Sequence, residues 1–217
     1  MGVDVARFNL ATSTEKRVQS PSKHKFEEGE VMKPDTFLSR VPREKLNVTM
    51  QSAFDRSMTM HEDATFVEVM GHAPAIYEWY QNDFYKKLFY GSTLPITLLE
   101  LVRLRLANLH GCAFCNRNNT AAALQAGISQ SQIDALSNYE RGPFTDSEKA
   151  VLALADEMAL TNPKGHLSAS LHARLNPYFT DGELVELGVL MAVLCGMAKM
   201  IFAFDLVEKE DTCPFLP

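Results

Sequence analysis

The sequence predicts an all-α protein, and three observations carry that reading. Apolar residues recur at three- and four-residue steps, as in Tyr77, Tyr80, Phe84 and Leu88, which is the spacing of a helix face. Three sites have the pattern of a reciprocal helix start: Ser129 with Gln132, Thr145 with Glu148, and Thr180 with Glu183. In each, the hydroxyl and the longer polar side chain can satisfy each other's backbone N–H. No segment is indicated as a strand.

Taken in order, residues 1–34 are polar, contain Pro21 and Pro34 and have no sustained periodicity. That composition predicts a flexible arm, or one that wraps a neighbouring subunit. Pro42 opens a predicted helix, PREKLNVTMQSAFDRSMTM, and a short helical turn, EDATFVEVM, precedes Gly71. Pro74 begins PAIYEWYQNDFYKKLFYG, with Tyr77, Tyr80, Phe84 and Leu88 as its core face. In LPITLLELVRLRLANLHG, Pro95 suits the first helical position and Gly111 suits the stop. The Ala-rich AFCNRNNTAAALQAG follows at once and ends at Gly127. So short a turn requires the two helices to run antiparallel.

Beyond this hairpin, DSEKAVLALADEMAL is amphipathic and ends before Asn162 and Pro163. The last predicted helix, from about Asp181 to Val207, is apolar nearly all round between Leu187 and Ala198. A helix without a polar face needs cover on several sides, from its own domain and from another subunit. Lys199 interrupts the run short of the ~20 residues that a membrane span needs. The domain reading is therefore an arm at 1–34, one helical domain at 35–210 and a tail at 211–217.

Composition narrows the function classes. A chain of 217 residues, 46% hydrophobic and 22% charged, suits one well-filled core. A net charge of −6 with no basic stripe gives no reason to expect nucleic acid. Four cysteines do not make a disulfide framework and suit a reducing compartment in which one pair cycles, so the cytoplasm is the expected location. No apolar run of a signal peptide opens the chain. The basic, hydroxyl-bearing start, with Arg7, Lys16, Arg17 and Lys23, leaves an organelle transit segment as the alternative.

The chemistry concentrates between Glu100 and Asn119. Cys112 and Cys115 form the only Cys-x-x-Cys pair and stand where one predicted helix stops and the next begins. A thiolate there faces unpaired N–H groups and the positive end of the helix dipole, which lowers its pKa. Zinc would require two further ligands, and no second pair supplies them, so no metal and no cofactor is expected. In the antiparallel hairpin, Glu100 and Asn119 differ in height by only ~4–5 Å at ~1.5 Å per residue. Asn119 shares a helix face with Cys115, so a relay from Glu100 through Asn119 to Cys115 is geometrically open. Each residue also has a plainer reading. Glu100 could complete a capping box with Thr97, Asn119 could be part of a solvated run from Asn116, and His110 could cap a helix end. Cys195 reads as packing and Cys213 as a bystander in the tail.

Glu100, eleven residues, Cys112, two residues, Cys115, three residues and then Asn119 resembles the motif of the alkylhydroperoxidase D-like branch of the carboxymuconolactone decarboxylase family. Asn119 stands where that motif has His. The surrounding LPITLLELVRLRLANLHGCAFC, TAAALQAGIS and FTDGELVELGVLMAVL resemble the family too, over roughly residues 73–207. The resemblance implies an alkylhydroperoxidase D-like all-helical fold, assembled as a trimer or hexamer. It also implies a dithiol peroxidase in which Cys115 attacks a hydroperoxide, Cys112 resolves the sulfenic acid, and an external dithiol or thioredoxin-like reductant restores the pair. Glu100 would be the base. Asn119 cannot carry a proton as imidazole does, which leaves His110 or a water for that step. The helix dipole alone would favour Cys112 as the more acidic thiol, whereas the relay and the family favour Cys115. The alternatives are a lyase acting on a lactone acid, which needs no cysteine pair, and a non-enzymatic redox-sensing oligomer.

Overall fold

The computed structural model describes residues 32–216, so most of the expected arm lies outside the described residues. The described chain is helical, and its one β-type contact is an isolated antiparallel bridge between Met32 and Lys209. Lys33 adds an ion pair with buried Glu208. Residues 32–34 therefore meet the C-terminal segment.

Pro42 opens only a 3-10 turn, Arg43–Lys45, and helix α1 starts later, at Val48–His61. The cause is local. Leu46 is extended, and the Asn47 side chain accepts from Met50 N–H, which makes Asn47 the N-cap. Helix α2, Thr65–Met70, follows. Helix α3 runs Pro74–Glu78 and continues without a break as a π-helix over Trp79–Phe89. This winding was not expected from the sequence. Its i→i+5 bonds, such as Tyr90 N–H to Tyr85 O at 2.8 Å, bring residues five apart into line. Phe89 is buried in consequence, and Tyr80, Tyr85 and Tyr90 share one side.

Helix α4, Ile96–His110, is the hub. Leu99, Leu101, Val102, Leu104 and Leu106 are all nearly inaccessible, because helices cover it on several sides. A fully buried Leu is worth roughly 1.5–3 kcal/mol, so α4 holds much of the fold's apolar stabilisation. It packs against α5, Ala113–Gln125, against α7, Asp146–Met158, and against α9, Asp181–Ala203. Between them, α6, Gln130–Ala135, and α8, Ala169–Leu175, complete the layer. All three expected capping boxes are present, at Ser129, Thr145 and Thr180. Arg105 clamps α4 to α7 through Asp156 at 2.7 Å, with Tyr139 donating to the same carboxylate.

Helix α9 buries Leu187, Leu190, Met191 and Cys195 but leaves Val185 67% and Val189 46% exposed. With Ala192 and Gly196 these form an exposed stripe at helical spacing. By length and composition α9 could cross a membrane, yet one side of it belongs to the core shared with α4 and α7. Beyond it, residues 205–216 fold back over the α4–α5 turn. Glu210 N–H bonds Gly111 O, and Phe215 stacks on Phe202.

Candidate active site

The α4–α5 turn is built by two residues. Gly111 caps α4 in the left-handed region at φ +62°, where a side chain would be strained. Its open side is filled by the C-terminal segment, since a Cβ there would meet Cys213 Cα at 2.6 Å. Cys112 is then the N-cap of α5, and its Sγ accepts from Cys115 N–H at 3.2 Å. The two sulfurs are joined as a disulfide across a Cα–Cα separation of 5.2 Å. Cys112 is buried, whereas Cys115 is only half-buried. Both border a cavity of about 470 Å³.

Tyr80 and Tyr85 of the π-helix, Tyr90 at its end, Phe66 from α2 and Phe114 from α5 line that cavity together with aliphatic side chains such as Leu106, Met197 and Ile201. Its polar edges come from Arg103, His61, Asn118 and Asn119. Glu100 is 1% exposed, and it does not contact Asn119. Its Oε2 accepts from Arg103 Nε at 3.0 Å and Nη2 at 2.5 Å. Burial pushes the carboxyl above its ordinary range, and the Arg103 charge pulls it back. Asn119 is buried as well, but its Nδ2 donates to the backbone O of Arg103 at 3.3 Å. The hairpin thus has the expected register, while the relay from Glu100 through Asn119 to Cys115 is not formed. The reason is that Arg103, three residues on along the same helix, offers the buried carboxylate a full charge where Asn119 offers a dipole. The alternative capping box with Thr97 is absent too, because α4 starts at Ile96 with Pro95 as its N-cap.

His110 borders the cavity, but its Nε2 accepts from Leu160 N–H at 3.0 Å, which ties α4 to the end of α7. Burial lowers its pKa to about 4, so the ring stays neutral at pH 7. Its role here is that of a buried acceptor. A second imidazole, not singled out from sequence, is His61 at the end of α1. It packs on Phe114 with ring centroids 4.2 Å apart. Arg117 Nε donates to its Nδ1 at 3.2 Å, which must therefore lack hydrogen, so Nε2–H donates to Asn118 Oδ1 at 3.0 Å. Burial, with the Arg117 charge acting the same way, holds its pKa below the ordinary imidazole range. Arg117 in turn pairs with buried Glu208, which links the cavity to the C-terminal segment.

Cys195 donates to Met158 O at 3.2 Å, and burial raises its pKa to about 11, as fits a packing residue. Cys213 is buried rather than idle and donates to His110 O at 3.1 Å. Among the described residues no group of His, Cys, Asp and Glu side chains is arranged to hold a metal ion.

A redox-capable cysteine pair at a helix start, set in an all-helical frame beside a cavity lined in part by rings, defines the class. Comparison with known proteins bears on the family. Residues 74–157 match the carboxymuconolactone decarboxylase family model. An uncharacterized Bacillus subtilis protein, YdfG, is 27% identical over 101 residues, 46% of this chain and 68% of its own. An uncharacterized Mycobacterium tuberculosis protein is 34% identical over 94 residues, 43% of this chain but only 32% of its own length. Among solved structures, the alkylhydroperoxidase AhpD core of an uncharacterized peroxidase-related protein from Ralstonia eutropha aligns at a TM-score of 0.63. It is 12% identical, covering 83% of this chain and 95% of that one. The debrominase Bmp8 aligns equally, at a TM-score of 0.63 and 16% identity over 83% of this chain and 95% of its own. At these identities the solved structures establish the shared alkylhydroperoxidase D-like fold.

Proposed function

We propose that this chain is a dithiol oxidoreductase that reduces hydroperoxides in the 470 Å³ cavity through Cys115 and Cys112. The observation that carries the reading is the placement of the joined pair: Cys112 buried at the α5 N-terminus, Cys115 half-buried, both on the cavity wall. The more accessible sulfur meets substrate. Cys115 thiolate attacks the terminal peroxide oxygen, the O–O bond breaks, the alcohol leaves and Cys115 becomes a sulfenic acid. Cys112 then displaces water to close the disulfide. An external dithiol, of thioredoxin-like type, attacks Cys115 and leaves oxidised. Cys112 departs as a thiolate that the Cys115 N–H and the helix dipole already favour.

The exposed Val185, Val189, Ala192 and Gly196 stripe of α9 supports a homo-oligomer, a trimer or hexamer, assembled through this helix. A cycling pair also suits the cytoplasm. The lyase reading needs no cysteines and draws no support from a pair placed on the cavity wall. The ring-lined walls favour one second reading, reduction of a halogenated aromatic, since the debrominase Bmp8 was solved with 2,3,4-tribromopyrrole. The same two electrons would replace carbon–bromine by carbon–hydrogen and release bromide.

One equivalent of cumene hydroperoxide added to reduced protein should form the disulfide in the wild type. The same treatment should leave a sulfenic acid on Cys115 in Cys112→Ser, read by mass spectrometry. Bromide release from tribromopyrrole without peroxide consumption would move the assignment to the second reading. Turnover of γ-carboxymuconolactone that survives loss of both cysteines would remove the redox reading.

A further inference from the structure

The cavity beside the cysteine pair has a sign. The described residues that line it include no aspartate or glutamate, and their permanent charges are Arg56 and Arg103. That is the reverse of the chain as a whole, whose net charge is −6. The two arginines differ in what they meet. Arg103 is balanced by Glu100, which accepts from its Nε and Nη2. Arg56 is exposed and forms no ion pair among the described residues, and the adjacent Asp55 is held by Arg43 at 2.6 Å. One cation at the open side of the cavity is therefore left without a counter-charge.

Helix α1 sets its position. Ala53, Arg56, Ser57, Met60 and His61 recur at three- and four-residue steps and all border the cavity, so one face of α1 forms a wall. At the end of that wall His61 packs on Phe114, the residue before Cys115. Arg56 lies five residues earlier, ~7.5 Å of axis, and so at a remove from the sulfurs. Its charge is felt inside the cavity: burial raises the pKa of the Tyr77 phenol, and Arg56 pulls it back. Leu106, Leu194 and Met197 supply apolar wall. The volume of about 470 Å³ is that of a small-molecule site.

These features describe a ligand with two ends. A guanidinium presents a planar fork that a carboxylate matches with two parallel hydrogen bonds, and an apolar body is what the remaining wall can bury. A neutral molecule of the same size gains the burial without the anchor. An acid would be selected over its ester or amide even though the chain as a whole repels anions.

We propose that the cavity takes amphipathic carboxylic acids, with Arg56 binding the carboxylate at the mouth and the apolar body lying along the α1 wall toward Cys115. In one respect this rests on the peroxidase reading: the substrate is then the hydroperoxide of such an acid, carrying its –OOH on the apolar body away from the carboxylate.

Two arms test it. Calorimetric titration with decanoate and with decanamide compares one chain carrying a charged and a neutral head, and needs no turnover. Wild type should bind decanoate at least about tenfold more tightly, the lower worth of a hydrogen bond to a charged group, and added salt should narrow the gap. Arg56→Gln should abolish the preference and Arg56→Lys keep part of it, with circular dichroism as the fold control. Arg141→Gln removes the same charge from an exposed arginine away from the cavity and should keep the preference whole. Decanoate should also slow alkylation of reduced Cys115 by iodoacetamide. No preference in wild type, or one that survives Arg56→Gln, would overturn the proposal. In the second arm, kcat/KM for linoleic acid hydroperoxide should exceed that for its methyl ester by roughly tenfold in wild type and fall toward equality in Arg56→Gln. Equal values in wild type would overturn the proposal as well. A wild type that consumes neither hydroperoxide, yet prefers decanoate through Arg56, would sink the peroxidase reading and leave the acid site standing.

Discussion

The burial of His110 makes stability depend on pH in a way that can be worked out. The ring is 2% exposed, its Nε2 accepts from Leu160 N–H, and its pKa falls from the ordinary 6.5 to about 4 because burial disfavours the charged form. Between those values the unfolded chain binds a proton that the folded chain does not, so stability is lost as pH falls through 6.5 toward 4. The two pKa values differ by about 2.5, and at about 1.4 kcal/mol for each tenfold in proton affinity the loss amounts to about 3 kcal/mol. About 2 kcal/mol of it is gone by pH 5. Urea denaturation from pH 7.5 to 4.5 measures this, with His110→Gln as the control, since an amide oxygen can still accept from Leu160 and does not titrate. Other groups act in both proteins. His61, also depressed, pulls the same way, and Glu100, raised by burial, pulls the opposite way, so the difference between the two curves isolates His110. The gap between wild type and His110→Gln should shift by about 2.5 kcal/mol in favour of the variant across that window, at constant m value. Parallel curves would show that His110 is not held neutral by burial and would refute the reasoning.

Two more perturbations probe the frame around the cavity. Gly111→Ala forces a side chain into φ +62° and sets a Cβ 2.6 Å from Cys213 Cα. It should cost roughly 1–3 kcal/mol in urea denaturation and speed hydrogen exchange at residues 211–216, whereas unchanged exchange there would show that the turn does not pin the C-terminal segment. Val189→Glu places a charge on the exposed stripe of α9 and should lower the sedimenting mass toward the monomer with helicity unchanged. An oligomer of undiminished mass would move the interface elsewhere.

What could be read from the sequence and what could not divide along a physical line. The helix starts at Ser129, Thr145 and Thr180, the stop at Gly111 and the cysteine pair at the head of α5 all depend on partners within four residues, so their geometry is written in the spacing. That α9 is covered along one side was legible too, because a helix apolar nearly all round needs cover. The π-winding of Trp79–Phe89 was not, since a reading at helical period assigns Leu88 where the i→i+5 turn buries Phe89 and aligns Tyr80, Tyr85 and Tyr90. Nor was the choice Glu100 makes. Residues at three steps along one helix and at equal height on its neighbour are both within reach, and only the folded packing, by excluding water and leaving a carboxylate to find the strongest donor, settles on Arg103 over Asn119. His61 and the folding back of residues 205–216 lie further still from local pattern. The sequence by itself determined the helices, the turn and the reactive pair, because those rest on short-range hydrogen bonds and periodic apolar faces. Tertiary structure alone decided which charges and rings surround the sulfurs, because contacts between distant segments follow from the sum of packing over the whole core.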